Sequence, residues 1–123
     1  MKQKIKESDL QRVVLQWLKV HDICAWRMPV GPVVHSLGKG SNVKQFWKAS
    51  PIKGFPDIAG VLKRKYPGKF FTIELKSSTG KLRNEQREWM NTLHQAGAVV
   101  AVVRSIDELQ ATMERWGEVS SRD

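Results

Sequence analysis

Six consecutive apolar residues, Ala98-Val99-Val100-Ala101-Val102-Val103, stand out from the mixed polar and apolar chain around them. The run is too short to span a bilayer and is rich in β-branched valine, so it reads as a strand. A strand without a polar face has to be covered on both sides of the pleat. The flanking segments supply candidate covers. From Asn84 to about Ala96, Gln86, Trp89, Met90 and Leu93 fall at helical spacing, and Gly97 follows as a left-handed stop. After the run, Ser105 and Glu108 form a capping-box pattern that opens a helix with Ile106, Leu109, Met113 and Trp116 inward. Helix, buried strand and helix in succession imply an α/β layered domain.

The amino-terminal half extends this pattern. Between Glu7 and about Lys19, Leu10, Val13, Val14, Trp17 and Leu18 recur at helical spacing, with Ser8 and Gln11 placed as a second capping box. Ile23 to Arg27 reads as a short strand. The stretch 28–52 carries Pro29, Gly31, Pro32, Gly38, Gly40 and Pro51 without clear periodicity, and is expected to be a long functional loop. Ile58–Leu62 and Phe70–Lys76, joined through Tyr66-Pro67-Gly68, are expected to form an antiparallel hairpin. In its second strand Thr72, Glu74 and Lys76 face one way, and Phe71, Ile73 and Leu75 the other. The expected fold is a mixed β-sheet flanked by α-helices in one domain over residues 1–123. Its core spans about 7–116, with a tail frayed after Gly117.

Charge narrows the partners. Twenty-one Lys and Arg against twelve Asp and Glu give a net charge of +9 and a pI of about 10.0. That imbalance suits a polyanion, because each neutralised phosphate releases condensed counterions. Cys24 is the only cysteine, which excludes an intrachain disulfide and suggests a small buried hydrophobe. There is no long apolar run, and the amino terminus is too polar for a secretory core, so a soluble cytoplasmic protein is expected. Gly38-Lys39-Gly40-Ser41 lacks the spacing of a phosphate-binding loop, and three scattered histidines with one cysteine make no zinc set.

Phosphodiester hydrolysis needs a hard cation held by carboxylates and a positive group near the attacking oxygen. Glu74 and Lys76 lie two apart on one strand face, and a hairpin partner beginning at Asp57 brings a second carboxylate near them. Each element alone is ordinary: an exposed charge pair, a turn aspartate. Their combination is what suggests a metal site. In the loop, Lys39, Lys44, Lys48 and Lys53 are interleaved with His35, Phe46 and Trp47, a mixture that neutralises phosphates and stacks on bases; Lys81 adds a further contact. The same residues equally suit a solvated basic loop anchored by its aromatics.

Lys53-Gly54-Phe55-Pro56-Asp57, then Ile73-Glu74-Leu75-Lys76, then Gly80-Lys81-Leu82 and Gln86, resemble the VRR-NUC domain of the PD-(D/E)xK nuclease superfamily. Glu7-Ser8-Asp9-Leu10-Gln11 is similar to that family's amino-terminal motif, which extends the likeness over about residues 7–110. The resemblance implies a restriction-endonuclease-like α/β core. It further implies that Glu7, Asp57, Glu74 and the Leu75 carbonyl ligate Mg²⁺ or Mn²⁺, that Lys76 orients the hydrolytic water, and that Gln86 contacts the metal shell or Lys76. Glu7 equally suits the positive end of its helix, and Gln86 a partly buried polar position. Two departures stand against the family pattern: Leu82-Arg83-Asn84-Glu85 lacks a Ser or Thr cap, and Met28-Pro29-Val30-Gly31 leaves Arg27 as no more than a phosphate contact or the cover of a strand edge. The activity implied is a DNA endonuclease leaving 5′-phosphates. Small phage or bacterial proteins of this kind act as homodimers on branched DNA such as four-way junctions. The rival readings are a non-catalytic basic DNA-binding module on the same fold and, behind it, a structural RNA-binding protein.

Overall fold

The computed structural model describes residues 5–29, 32–36, 44–48 and 53–121, with side chains for 5–29 and 53–121. The elements are α1 (Glu7–Val20), β1 (Cys24–Arg27), β2 (Pro32–Ser36), β3 (Lys44–Lys48), β4 (Ile58–Val61), β5 (Phe70–Leu75), α2 (Asn84–Gln95), β6 (Val99–Val103) and α3 (Ile106–Arg115). The expected hairpin forms, with β4 and β5 antiparallel and Ile58 opposite Ile73. β6 joins the other side of β5 in parallel, after the crossover through α2, and β1 pairs antiparallel with β4. The result is a four-stranded mixed sheet in the order β1-β4-β5-β6.

Alternation along β5 decides which layer lies where. Phe71, Ile73 and Leu75 point to a face covered by Leu10, Val14 and Leu18 of α1 and by Leu109 and Met113 of α3, and all of these are buried. Each large apolar side chain buried this way contributes about 1.5–3 kcal/mol. The Phe71 ring lies so close over Gly60 that a Cβ there would sit 2.4 Å from it, so only glycine fits at that point of β4. Thr72, Glu74 and Lys76 occupy the opposite face, yet they too are buried. Gly97, at φ +105°, stops α2, and Ser105 caps α3 by accepting from the Glu108 N–H at 3.1 Å.

Five expectations need correction. The stretch 28–52 is not all loop, because β2 and β3 within it pair antiparallel from Pro32 opposite Lys48 to Ser36 opposite Lys44. Neither strand alternates polar with apolar residues, so periodicity could not reveal them. Ser8 does not cap α1; the helix already begins at Glu7 after Lys6, with Glu7 and Asp9 in its first turn, where they complement the helix dipole. Cys24 is exposed, and Ile23 takes the buried position beside it. β6 lies at a sheet edge, which leaves Val99, Val100 and Val102 half-buried. The chain is not loose at Gly117, since Glu118 is fully buried and accepts from the backbone N–H groups of Lys63 and Arg64.

Candidate active site

The register that pairs Ile58 with Ile73 leaves Asp57 just beyond the ladder, level with Glu74. There the Asp57 carboxylate replaces a backbone acceptor, and its Oδ2 receives the Leu75 N–H at 2.7 Å. The Asp57 carbonyl accepts from Met28 N–H at 2.8 Å, tying the end of β1 to the same point. One backbone-fixed carboxylate thus stands at the carboxyl end of β5, on the amide of the residue between Glu74 and Lys76.

Glu74 is 3% exposed. Its Oε1 accepts from Gln86 Nε2 at 2.9 Å, and Gln86 Oε1 accepts from the Arg83 N–H at 2.8 Å. Gln86 therefore ties the Arg83 amide just ahead of α2 back onto the first turn and orients Glu74 at the same time. The other carboxylate oxygen, Oε2, is buried and receives no hydrogen bond from any N–H or hydroxyl group among the described residues. Burial first, then the neighbouring Asp57 charge and a side-chain hydrogen bond with Asp57, push the Glu74 carboxyl up to about 8; Lys76 pulls it down and Glu7 adds to the rise.

A buried carboxylate oxygen without a donor, beside a second carboxylate, fits a site built for a cation. Glu7, Ser8, Gln11, Asp57 and Leu75 line a cleft of about 240 Å³ beside the acidic pair, with Glu7 presented from the first turn of α1. Among the described residues, no three His, Cys, Asp or Glu side chains already form a metal-binding cluster. Asp57 and Glu74 are adjacent, whereas Glu7 shares the cleft with Asp57 from an exposed position and acts on Glu74 through its charge. Lys76, 9% exposed, follows on the same strand face as Glu74.

The segment before Asp57 is docked on α2. Gly54 has φ +84°, and a Cβ there would lie 2.7 Å from the Glu85 Cβ, so the close approach requires glycine. Phe55 packs edge-on against Trp89 at 5.4 Å, and Lys53 pairs with Glu85 at 3.1 Å. Through these contacts the Lys53–Asp57 motif and Gln86 are held in one unit. Lys53 is thus engaged by a carboxylate, its side chain otherwise largely exposed.

Sequence reasoning missed Arg104. Its Nη1 donates to the carbonyls of Ser77 and Gly80, both at 2.7 Å, clamping the turn that follows Lys76. A lone arginine directly after an apolar strand was the available signal, but its partners are backbone carbonyls and leave no mark in the sequence. Lys81 follows that turn and is exposed, as is Arg27 at the end of β1. Lys44 and Lys48 end β3, but their side chains, like Lys39 as a whole, lie outside the described residues.

Sheet order, flanking helices and an acidic pair followed by a lysine at the end of β5 together define a restriction-endonuclease-like α/β domain. Residues 5–107 match the family model of the VRR-NUC domain, a nuclease domain, and the chain belongs to that family. No curated protein and no solved structure matches the chain. Family membership assigns a nuclease-type function in DNA processing. No helix among the described residues is long and apolar enough to cross a membrane.

Proposed function

We propose that the protein is a divalent-metal-dependent DNA endonuclease using Mg²⁺ or Mn²⁺, with structure-selective action on branched DNA such as four-way junctions. The observation that carries the metal reading is the buried, unpartnered Oε2 of Glu74 next to the Asp57 carboxylate. Asp57, Glu74 and the Leu75 carbonyl, with Glu7 from the cleft it shares with Asp57, are the residues that would hold the ion. A bound divalent cation supplies Lewis acidity at the scissile phosphate and lowers the pKa of a water.

The remaining work falls to the chain's own side chains. Gln86 fixes the orientation of Glu74 through its 2.9 Å bond and leaves Oε2 available. The Leu75 N–H holds Asp57 in place, so neither carboxylate has to be reorganised at the moment of reaction. Lys76, whose charge opposes the upward shift at Glu74, is placed to orient a water and stabilise negative charge developing on the phosphate. The net charge of +9 favours approach of a DNA strand to this acidic site. Action as a homodimer, with two equivalent sites, suits paired incisions across a junction.

The test is incubation of the purified protein with supercoiled plasmid and with a labelled four-way junction in Mg²⁺, Mn²⁺ or EDTA, beside Asp57→Asn and Lys76→Ala. Cutting that needs the metal and disappears in both variants supports the reading, and preference for the junction over linear duplex supports branch selectivity. Binding without turnover in either metal leaves a non-catalytic DNA-binding module. Sedimentation of the protein alone tests the dimer.

A further inference from the structure

A second cleft, of about 360 Å³, is lined by Ser8, Gln11, Arg12, Leu15 and Arg27. Ser8 and Gln11 also line the cleft at Glu7, Asp57 and Leu75, so the two run together along one side of α1. The joint groove changes sign along its length. At one end stand Glu7 and Asp57, and at the other the guanidinium groups of Arg12 and Arg27.

Two elements present these arginines independently. Arg27 ends β1 opposite Ile58, the residue after Asp57, and the next amide, Met28 N–H, bonds the Asp57 carbonyl. Arg12 lies five residues beyond Glu7 on α1, about 7.5 Å along the helix axis. Its ion pair among the described residues is a long one to Asp9, at 3.5 Å and exposed, which contributes little and is readily exchanged for a stronger anion. Leu15 supplies an apolar wall, and Ser8 and Gln11 supply neutral hydrogen-bonding groups between the acidic and basic ends.

We propose that this basic end of the groove is a binding subsite for a backbone phosphate of the DNA strand flanking the one at the acidic site, held by Arg12 and Arg27. The inference rests on DNA being the substrate and deepens that reading by giving the strand a direction: away from Asp57, between the amino-terminal half of α1 and the edge strand β1. Arginine suits the task because its planar fork engages phosphate oxygens in pairs. A phosphate bound here is held alike before and during reaction, so its loss raises KM and spares kcat.

The test is fluorescence anisotropy of a labelled duplex and a labelled four-way junction in EDTA, over a series of salt concentrations, with Arg12→Gln, Arg27→Gln and the double variant. Lys19→Gln, an exposed cation on the last turn of the same helix and outside the groove, is the control. Each arginine variant is expected to weaken binding and to lower the slope of log K against log salt by about 1, the double by about 2. Wild-type affinity and slope in the double variant, or an equal loss in Lys19→Gln, overturns the subsite. Both arginines are exposed, so the variants retain the fold, and equal thermal melting verifies it. If the wild type binds DNA without cutting it, the nuclease reading fails while the binding series still decides the subsite. If DNA is cut and the double variant is unimpaired, the subsite fails and the nuclease reading stands.

Discussion

Two glutamates are buried among the described residues, and their surroundings are opposite. Glu118, fully buried beyond α3, accepts from the Lys63 and Arg64 N–H groups at 3.1–3.2 Å and pairs with the Arg64 guanidinium, which also bonds its carbonyl. Glu74, 3% exposed, has a single donor from Gln86, an unpartnered Oε2, and Asp57 and Glu7 adding negative charge nearby. A buried charge without compensation costs free energy. At Glu118 the fold supplies that compensation and gains a pin for its carboxyl terminus. At Glu74 the Lys76 charge and the Gln86 amide supply only part of it, and the carboxyl stays pushed up to about 8, which is the pattern of a group positioned for a task rather than for stability.

Exchanging the two carboxylates for neutral residues sharpens the contrast most. Glu74→Gln is expected to lower plasmid cutting by about 10³-fold, by analogy with the loss of a single preorganised electrostatic group. Its stability in urea is expected to be about equal below about pH 8, where Glu74 keeps its proton, and greater above it, where the amide removes a charge that repels Asp57. Glu118→Ala is expected to do the reverse. It strands two backbone donors and the Arg64 guanidinium, costing about 2–4 kcal/mol, while the folded fraction cuts within a few-fold of wild type. Urea unfolding and cutting rates on the same preparations decide the matter. A large destabilisation by Glu74→Gln, with none by Glu118→Ala, breaks the comparison.

The raised carboxyl of Glu74 gives this contrast a pH dependence. Its value of about 8 in the folded chain lies above the ordinary 4.5, so the folded state keeps a proton that the unfolded state releases. The stabilising contribution is therefore complete below about pH 4.5 and is lost as pH rises through about 8. Metal-free protein is expected to melt at progressively lower temperature across that window, with Glu74→Gln flattening the trend. Because a cation takes the deprotonated carboxylate, Mn²⁺ is expected to raise the melting temperature more at about pH 8.5 than at about pH 5.5, releasing a proton. A Mn²⁺-induced rise of equal size at both pH values would separate Glu74 from the metal site.

The same contrast marks what the sequence carried. β5 was legible from its period of two, and Asp57, Glu74 and Lys76 could be brought to one place because strand pairing follows simple geometry. The burial of Glu74 was not legible: an acidic residue on an alternating strand usually faces water, and here α2 closes over it through Gln86. Glu118 escaped notice for a related reason, since its donors lie more than fifty residues away in the β4–β5 turn. Nor did Cys24 betray its exposure, which follows from β1 lying at the sheet edge. The β2–β3 hairpin was hidden by proline and glycine around strands with no alternation. Local periodicity reveals the elements, whereas the partner of a polar group depends on contacts that the chain makes at a distance.

Arg104 extends the comparison from carboxylates to the groups around them, with the smallest effect. It serves the candidate site as Arg64 serves Glu118, except that among the described residues its guanidinium pairs with no acid and instead holds the Ser77 and Gly80 carbonyls at 2.7 Å. The Gly80 N–H closes the turn on the Ser77 carbonyl at 3.2 Å and on its Oγ at 3.1 Å. A Cβ on Gly80 would lie 3.5 Å from the Lys76 Cδ, so the clamped turn passes along the lysine's aliphatic stem. Arg104→Ala is expected to loosen that wall, speed hydrogen exchange at the Gly80 amide, and lower kcat by about 10-fold with little change in KM. Arg104→Lys is expected to recover only part of the loss, because one ammonium lacks the planar fork that reaches both carbonyls. Unchanged exchange together with unchanged kcat in Arg104→Ala would mean that Lys76 is held without the clamp, and that precision at this site comes from β5 alone.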